Sequence, residues 1–150
     1  MAISRGAGTE IIRTALFRGM DSTAQDLIVG VQHHIYTVLS ITIHAQTWQA
    51  SGNKAQVRID GYDSKGGTSA QSIIIFNEAL SVGQTFVWND KFSFNGHEPT
   101  NFTGPMDDGT KQDAIADQGN NTVAQKLRMV TTHASDAAHV TVTYIDQNNV

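Results

Sequence analysis

The stretch HHIYTVLSITIHAQTWQASGNKAQVRIDGY, residues 33–62, decides the fold. Its first half is rich in β-branched residues, and apolar and polar side chains alternate along it. A period of two is typical of a β-strand that buries one face. The alternation predicts inward side chains at Ile35, Leu39, Ile41 and Ile43. After the polar break QASGNK the same pattern returns, with Ala55, Val57 and Ile59 on one face. We therefore predict two strands joined by a turn.

The rest of the chain repeats this pattern in short segments separated by turn residues. Residues 11–18 fit a first strand or a short helix, and the strand is favoured. QSIIIFNEA (71–79) is a continuous apolar run, which predicts a strand buried on both faces. Further alternating strands are predicted in TFVWNDKFSF (85–94), VAQKLRMVTT (123–132) and AHVTVTYID (138–146). No stretch carries apolar residues at helical spacing. The sequence predicts an all-β, antiparallel, jelly-roll-like sandwich of seven to eight strands.

The predicted organisation is one domain with two appendages. Residues 1–10, MAISRGAGTE, contain two glycines and little to bury, so they are predicted to form a flexible N-terminal arm. Residues 11–150 form the domain. Both prolines fall in residues 95–122, NGHEPTNFTGPMDDGTKQDAIADQGNNT, which we predict to be one long loop. Loops of this length in compact domains are commonly functional or disordered. We favour a loop that becomes ordered against a neighbour.

Composition excludes several classes of function. A formal net charge of −4 offers no basic patch for nucleic acid. There is no cysteine, so disulfides and thiolate metal sites are ruled out. The first residues lack the apolar core of a secretory signal, and no run approaches the roughly 20 apolar residues of a membrane span. We expect no nucleic-acid partner and no membrane partner.

Residues that could carry chemistry are present, but not in a recognisable arrangement. His33 and His34 should point to opposite faces of a strand, while His34 and His44 share a face at too great a distance. His133 and His139 could meet across a hairpin, but a zinc site needs three or four ligands. Acidic residues in the long loop, Asp107, Asp108 and Asp113, lack the EF-hand spacing for calcium. A glycosidase pair would have to come from Asp60, Asp63, Glu78 and Asp90. We predict no catalytic residues, no metal, no cofactor and no enzymatic activity.

The aromatic side chains allow a second interpretation, in which the protein binds carbohydrate. Exposed aromatics on a β-face can stack on sugars, and Trp48 and Tyr62 are the candidates for that role. Trp88 alternates with phenylalanines, so we predict that it packs in the core. Trp48 lies beside the polar break and is predicted to be partly exposed, where it could anchor an interface.

Three segments resemble small β-sandwich virion proteins of tailed bacteriophages. LSITIHAQTWQASGNKAQVRIDGY (39–62) resembles their opening strands, and SIIIFNEALSVGQTFVWNDKFSF (72–94) resembles their middle section with its glycine turn. KLRMVTTHASDAAHVTVTYID (126–146) is similar to their closing hairpin. The resemblance covers roughly residues 35–146. The long insertion departs from the family, which commonly has a short turn there.

This resemblance implies a structural role in a phage particle, most specifically a capsid decoration or cement protein. Neck or tail accessory proteins, and carbohydrate- or receptor-binding modules, are the alternatives. The expected partners are capsid or other virion proteins and further copies of the chain, a trimer being one form that the family suggests. The expected location is the virion, after synthesis in the host cytoplasm. The residues expected at interfaces lie mainly in the arm and the loop: Ile3, Arg5, Ile11, Ile12, Trp48, Phe102 and Met106.

Overall fold

The computed structural model describes residues 8–63, 67, 70–98 and 123–148. Over these residues the chain consists of β-strands and their connections, without a helix, which confirms the predicted all-β class. The strands of this part are β1 (Thr9–Met20), β2 (Gln25–Val29), β3 (His34–Thr47), β4 (Lys54–Gly61), β5 (Gln71–Ala79), β6 (Thr85–Trp88), β7 (Phe92–Asn95), β8 (Lys126–Thr131) and β9 (Ala137–Asn148).

The strands form two antiparallel sheets with the topology of a jelly roll. One sheet has the order β1-β9-β3-β6, and β7 also pairs with β3. The other sheet has the order β2-β8-β4-β5. Because β6 and β7 pair with successive parts of β3, they are two halves of one interrupted strand. The nine described segments thus fill eight strand positions, as a jelly roll requires and within the predicted range of seven to eight.

The core lies between the two sheets and draws on both. Its most deeply buried side chains include Ile41, Ile43, Val140 and Val142 from one sheet, and Val57, Leu127 and Met129 from the other. At one end Phe76 of β5 reaches across to stack on Trp88 of β6, with ring centroids 4.8 Å apart. The prediction that Trp88 packs against the core is therefore confirmed.

A β-bulge in β3 changes which side chains face the core. Val38 pairs with Tyr144 and Ser40 with Thr143, so Leu39 is an extra residue without a partner. An extra residue shifts the alternation by one position. Tyr36 and Val38 are consequently buried, whereas Ile35 is only half-buried. The predicted inward positions of Ile41 and Ile43 are confirmed. That of Ile35 is wrong, and Leu39 is half-buried at the bulge instead of lying in the core.

Among the described strands, β5 lies at the edge of its sheet and pairs only with β4. Ile73 and Ile74 are exposed, and Phe76 is the buried residue of the strand. The prediction that residues 71–79 are buried on both faces is wrong. A continuous apolar run does not distinguish a central strand from an edge strand, because strand order is set by the other strands.

Strands β8 and β9 belong to different sheets, so residues 126–146 are a crossover and not the closing hairpin that the resemblance implied. Thr131 ends β8 with its hydroxyl donating to the His133 carbonyl at 3.1 Å. Asp136, buried before β9, accepts a hydrogen bond from the Gln49 amide at 2.8 Å. This side-chain bond ties the crossover to the end of β3.

Two glycines bring the backbones after β2 and β7 into contact. A side chain added at Gly30 would overlap Gly96, and one added at Gly96 would overlap the carbonyl of Val31. The amide of Gln125 donates to the Gly96 carbonyl at 2.7 Å, and its own carbonyl accepts from Gly30 at 2.9 Å. Only residues without a Cβ fit this approach.

Two predicted boundaries can be compared with the structure in part. Strand β1 begins at Thr9, so residues 9 and 10 belong to the sheet and not to the predicted arm. The first residues of the predicted loop also belong to the sheet structure. Asn95 is the last residue of β7, and His97 forms an isolated bridge with Ala124. The remainder of the arm and of the loop lies outside the described residues.

Candidate interaction surface

Among the described strands, the outer face of the sheet β1-β9-β3-β6/β7 carries formal charge only at the two ends of β1, at Glu10 and Arg18. We call the part between and beside these two residues the uncharged face. It consists of Ile12, Thr14 and Leu16 of β1, His139, Thr141, Thr143, Ile145 and Gln147 of β9, Ile35, Thr37, Ser40, Thr42 and His44 of β3, and Thr85, Val87, Ser93 and Asn95 of β6 and β7. None of these is Asp, Glu, Lys or Arg, whereas about a quarter to a third of a typical surface is charged.

Side-chain contacts between neighbouring strands confirm that these residues share one surface. The hydroxyl oxygens of Thr37 and Ser93 are 2.8 Å apart. His44 Nδ1 lies 2.8 Å from the Thr85 hydroxyl, and its ring stacks on that of His139 with centroids 6.5 Å apart. The polar groups of the face thus hydrogen-bond partly to one another, which lowers the cost of removing them from water.

The β1 side of this face is apolar and exposed. Leu16 is 75% exposed and Ile12 is 68% exposed, the two largest values among the exposed large apolar side chains of the described chain. Both side chains project from the last strand of the sheet. Exposed apolar residues grouped on one surface are typical of an interaction site.

The opposite outer face, on the sheet β2-β8-β4-β5, is charged. Arg128 on β8 bridges two acidic residues: its Nη1 lies 3.1 Å from Asp60 Oδ2 and its Nε lies 2.8 Å from Asp26 Oδ1. Lys126 pairs with Asp26 at 3.2 Å. The hydrogen bond to Asp60, followed in importance by the charge of Asp26, raises the pKa of Arg128 against the lowering effect of burial. This face therefore carries several solvated ion pairs, whereas the uncharged face carries none.

A second charged cluster links neighbouring strands of the sheet that carries the uncharged face. Asp146 on β9 is 4% exposed and accepts hydrogen bonds from Arg13 Nε at 2.9 Å. Its other oxygen lies 2.7 Å from His34 Nδ1. His34 also stacks against Tyr36, with ring centroids 6.2 Å apart. An aspartate that orients a histidine occurs in nucleophilic catalysis. Here both carboxylate oxygens are engaged, and the cluster joins β1, β3 and β9.

A cleft of about 350 Å³ lies at the end of β4, between Asp60, Tyr62, Ser72 and Lys126. The Tyr62 hydroxyl donates to the Val123 carbonyl across it. Burial, and secondarily the negative charge of Glu98, raises the pKa of Tyr62, so the hydroxyl stays a donor. The acidic side chain in the wall, Asp60, is paired with Arg128. Among the described residues that line the cleft, Asp60 therefore has no second carboxylate beside it for acid and base catalysis.

The structure describes three of the seven expected interface residues. Ile12 projects outward on β1 and belongs to the uncharged face, while Ile11 is half-buried on the inner side of the same strand. The third is Trp48, directly after the end of β3. Four residues lie outside the described ranges: Ile3, Arg5, Phe102 and Met106.

Trp48 is buried, with 8% of its surface exposed, so the prediction of partial exposure is wrong. Its indole Nε1 donates to the Asn53 carbonyl at 3.2 Å, which fixes the turn between β3 and β4. Tyr62 follows the far end of β4, about 26 Å along an eight-residue strand. The two aromatic residues therefore do not form one sugar-stacking platform.

The candidate metal and carboxylate groups are dispersed over the described part of the chain. No group of three or more His, Asp or Glu side chains is placed to hold a metal ion within those residues. The bulge at Leu39 removes His34 from the face of His44, and His139 stacks on His44.

Two of the four candidate glycosidase carboxylates, Asp60 and Glu78, are likewise separated. Asp60 pairs with Ser72, whereas Glu78 pairs with Ala55, five residues or about 16 Å away along β4. The calcium candidates Asp107, Asp108 and Asp113 lie outside the described residues.

Within the described residues no helix is long and apolar enough to cross a bilayer.

The sequence predictions missed most of the uncharged face. Its signal was present in the polar positions of the alternating strands, which are Thr and Ser in SIT and TVT where a solvated strand commonly has Lys or Glu. Thr42, Thr141 and Thr143 come from strands about 100 residues apart, so only the pairing of β3 with β9 reveals one continuous surface.

No protein-family model matches this sequence, and no curated protein matches it. Among solved structures, the chain is similar to a subunit of Bacillus endospore appendages, described as disulfide-linked pili, with a TM-score of 0.42 and 11% identity over 100% of this chain and 97% of that one. It is also similar to a protein of the T13 particle of infectious bursal disease virus (TM-score 0.41, 12% identity, 99% of this chain and 37% of that one). The VP2 subviral particle of that virus gives a TM-score of 0.39 at 11% identity. Similarities with TM-scores below 0.5 carry no inference about function.

Proposed function

We propose that this chain is a structural component of a bacteriophage virion, a capsid decoration protein that binds and stabilises neighbouring subunits. A neck or tail position would use the same surface. The observation that carries the proposal is the uncharged face. The proposed location of the chain in a phage particle rests on the resemblance of residues 35–146 to phage virion proteins. The uncharged face supplies the physical means of attachment.

A face without charges suits a protein partner for an energetic reason. Removing an unpaired charge from water costs several kcal/mol, while Thr and Ser hydroxyls are satisfied by single hydrogen bonds. The centres of protein interfaces are accordingly depleted of charged residues. Ile12, Leu16 and Val87 add apolar area to the same face. The charged face on the other sheet would remain in solvent.

The dimensions of the face are sufficient for a specific contact. Four strand positions at about 4.8 Å spacing and nine residues at about 3.3 Å rise give about 19 by 30 Å, or about 570 Å². Two such surfaces together bury about 1,100 Å², which is just above the roughly 1,000 Å² expected of a biological interface. Attachment through this face alone should be of moderate strength, and many copies on one particle would add their effects.

The test adds the purified chain to particles that lack it and measures co-sedimentation and resistance of the particles to heat. Thr143→Lys places a charge at the centre of the uncharged face. Asn77→Lys places the same charge on the exposed outer side of β5 and is the matched control. We expect Thr143→Lys to weaken binding more than tenfold, because one unpaired buried ammonium costs more than the 1.4 kcal/mol of a tenfold change.

The two parts of the proposal fail in different ways. Binding of Thr143→Lys at wild-type strength, with thermal unfolding unchanged, would show that the particle binds another surface. Absence of wild-type binding, or absence of the chain from purified virions, would show that the virion role is wrong. Retention on glycans by the wild-type chain would favour the receptor-binding alternative.

A further inference from the structure

The four edges of the two sheets are not equally protected against pairing. Strand β2 has five residues and an irregularity after Asp26. Strand β5 contains an extra residue between Ile74 and Phe76, and the edge formed by β6 and β7 is interrupted at residues 89–91. Short strands, bulges and interruptions are the usual devices that prevent edge-to-edge association.

Strand β1 lacks these devices over most of its length. It pairs with β9 without irregularity from Thr9 to Phe17, and its register shifts only between Phe17 and Met20. As the last strand of the sheet order, it has a second edge that no strand of the described chain occupies. A regular edge of nine residues is a template for another strand.

The sequence of β1 is complementary to itself in antiparallel orientation. If two copies pair with Thr14 opposite Thr14, Ile12 lies opposite Leu16 and Glu10 lies opposite Arg18. Residues opposite each other in an antiparallel pair project to the same face, so on the outer face each apolar residue meets an apolar residue and each charge meets its opposite. On the other side Arg13 lies opposite Ala15 and keeps its ion pair with Asp146. Within the described residues no ion pair involves Glu10 or Arg18, so both charges are available to a partner.

We infer that two copies of this chain pair edge to edge through β1, antiparallel about Thr14. The occupant of the edge is a second copy because the match of apolar and charged positions is symmetric, as a two-fold interface requires. The pairing places Ile12 of one copy beside Leu16 of the other, and these two are the most exposed large apolar side chains of the described residues. It also joins the two uncharged faces into one continuous surface. This pairing is two-fold and does not depend on the proposed role in a virion.

A cysteine cross-linking experiment tests the geometry. The chain has no cysteine, so single-cysteine variants are unambiguous. In the paired state Thr14→Cys places two Cα atoms about 5 Å apart, within the range of a disulfide. Thr143→Cys is the control, because residue 143 lies one strand further from the axis and its two copies are about 14 Å apart. We expect a covalent dimer from Thr14→Cys under mild oxidation and none from Thr143→Cys.

Charge reversal tests the chemistry in the same protein. Arg18→Glu places two glutamates opposite each other at both ends of the pair, and we expect about tenfold weaker dimerisation by sedimentation velocity. Glu10→Arg should weaken it similarly, and the double variant should restore wild-type dimerisation. All variants should unfold at the same temperature at a concentration where the chain is monomeric.

Three results would overturn the inference. The first is a wild-type chain that stays monomeric up to millimolar concentration or forms a trimer. The second is cross-linking by Thr143→Cys in preference to Thr14→Cys, which would indicate face-to-face pairing. The third is a double charge reversal that does not recover dimerisation. None of these results bears on whether the chain binds particles.

Discussion

Truncation of Val38 to alanine tests the bulge that determines which residues of β3 face the core. Val38 is completely buried, with 0% exposed. The simple alternation of residues 35–43 places it on the outer face, where its loss would have little effect. The structure places it in the core because Leu39 is an extra residue. The unbroken alternation and the bulged strand therefore predict different effects of Val38→Ala on the free energy of unfolding.

The size of the effect follows from burial. Val38→Ala removes two buried carbons at about 0.8 kcal/mol each, or about 1.6 kcal/mol. A residual cavity of about 30 Å³ at about 24 cal/mol per Å³ adds about 0.7 kcal/mol. We expect a loss of about 2.3 kcal/mol in the free energy of unfolding. For a chain of this length the corresponding decrease in Tm is about 5–9 °C.

The assay is urea denaturation followed by circular dichroism, with thermal unfolding as a second measure. Val87→Ala is the matched control: the same substitution on the same sheet at a residue that is 48% exposed. It should change stability by no more than about 0.5 kcal/mol. Equal and small effects of the two substitutions would refute the bulge and restore the unbroken alternation. A changed denaturant slope in Val38→Ala would indicate altered compactness instead.

Two further predictions concern the region between β2, β3 and β7. Gly96→Ala should destabilise the fold by about 1–3 kcal/mol in chemical denaturation, because its new methyl group would overlap the Val31 carbonyl. Gly52→Ala, which has open space around it, should be nearly neutral, and an equal effect of both would contradict the close approach. Burial, then the charges of His97 and His34, lowers the pKa of His33, so the folded state binds fewer protons than the unfolded chain. Stability should fall as the pH drops below about 6.5, and His33→Asn, which tolerates the φ of 64° at this position, should lose less over that range. Parallel pH profiles for the two proteins would contradict this assignment.

The alternation of side chains was enough to predict where most strands lie. The bounds of β3, β4, β8 and β9 agree with the predicted segments to within three residues, and β1 was favoured as a strand over a helix. Local pattern succeeds here because a half-buried strand repeats every two residues whatever it pairs with. The turn at Ser81 to Gln84 was also visible, since Gly83 adopts a positive φ that few other residues accept.

The same pattern could not determine which strands are neighbours. It missed the edge position of β5 and the separation of β8 and β9 into different sheets. It also failed at Trp48, which a polar flank suggested was exposed and which Asn53 holds inside. These features depend on contacts between residues far apart in the chain, and such contacts leave little trace in local composition.

The sequence by itself determined that this protein is an all-β sandwich with a weakly charged surface. The tertiary structure decided that uncharged residues from four strand positions form one continuous surface, that the ion pairs of Lys126 and Arg128 lie on the opposite face, and that β1 lies at an unprotected edge. The physical reason is that hydrophobic periodicity specifies which side of a strand is buried. Register and strand order, which decide what lies beside it, are fixed only by pairing in the folded chain.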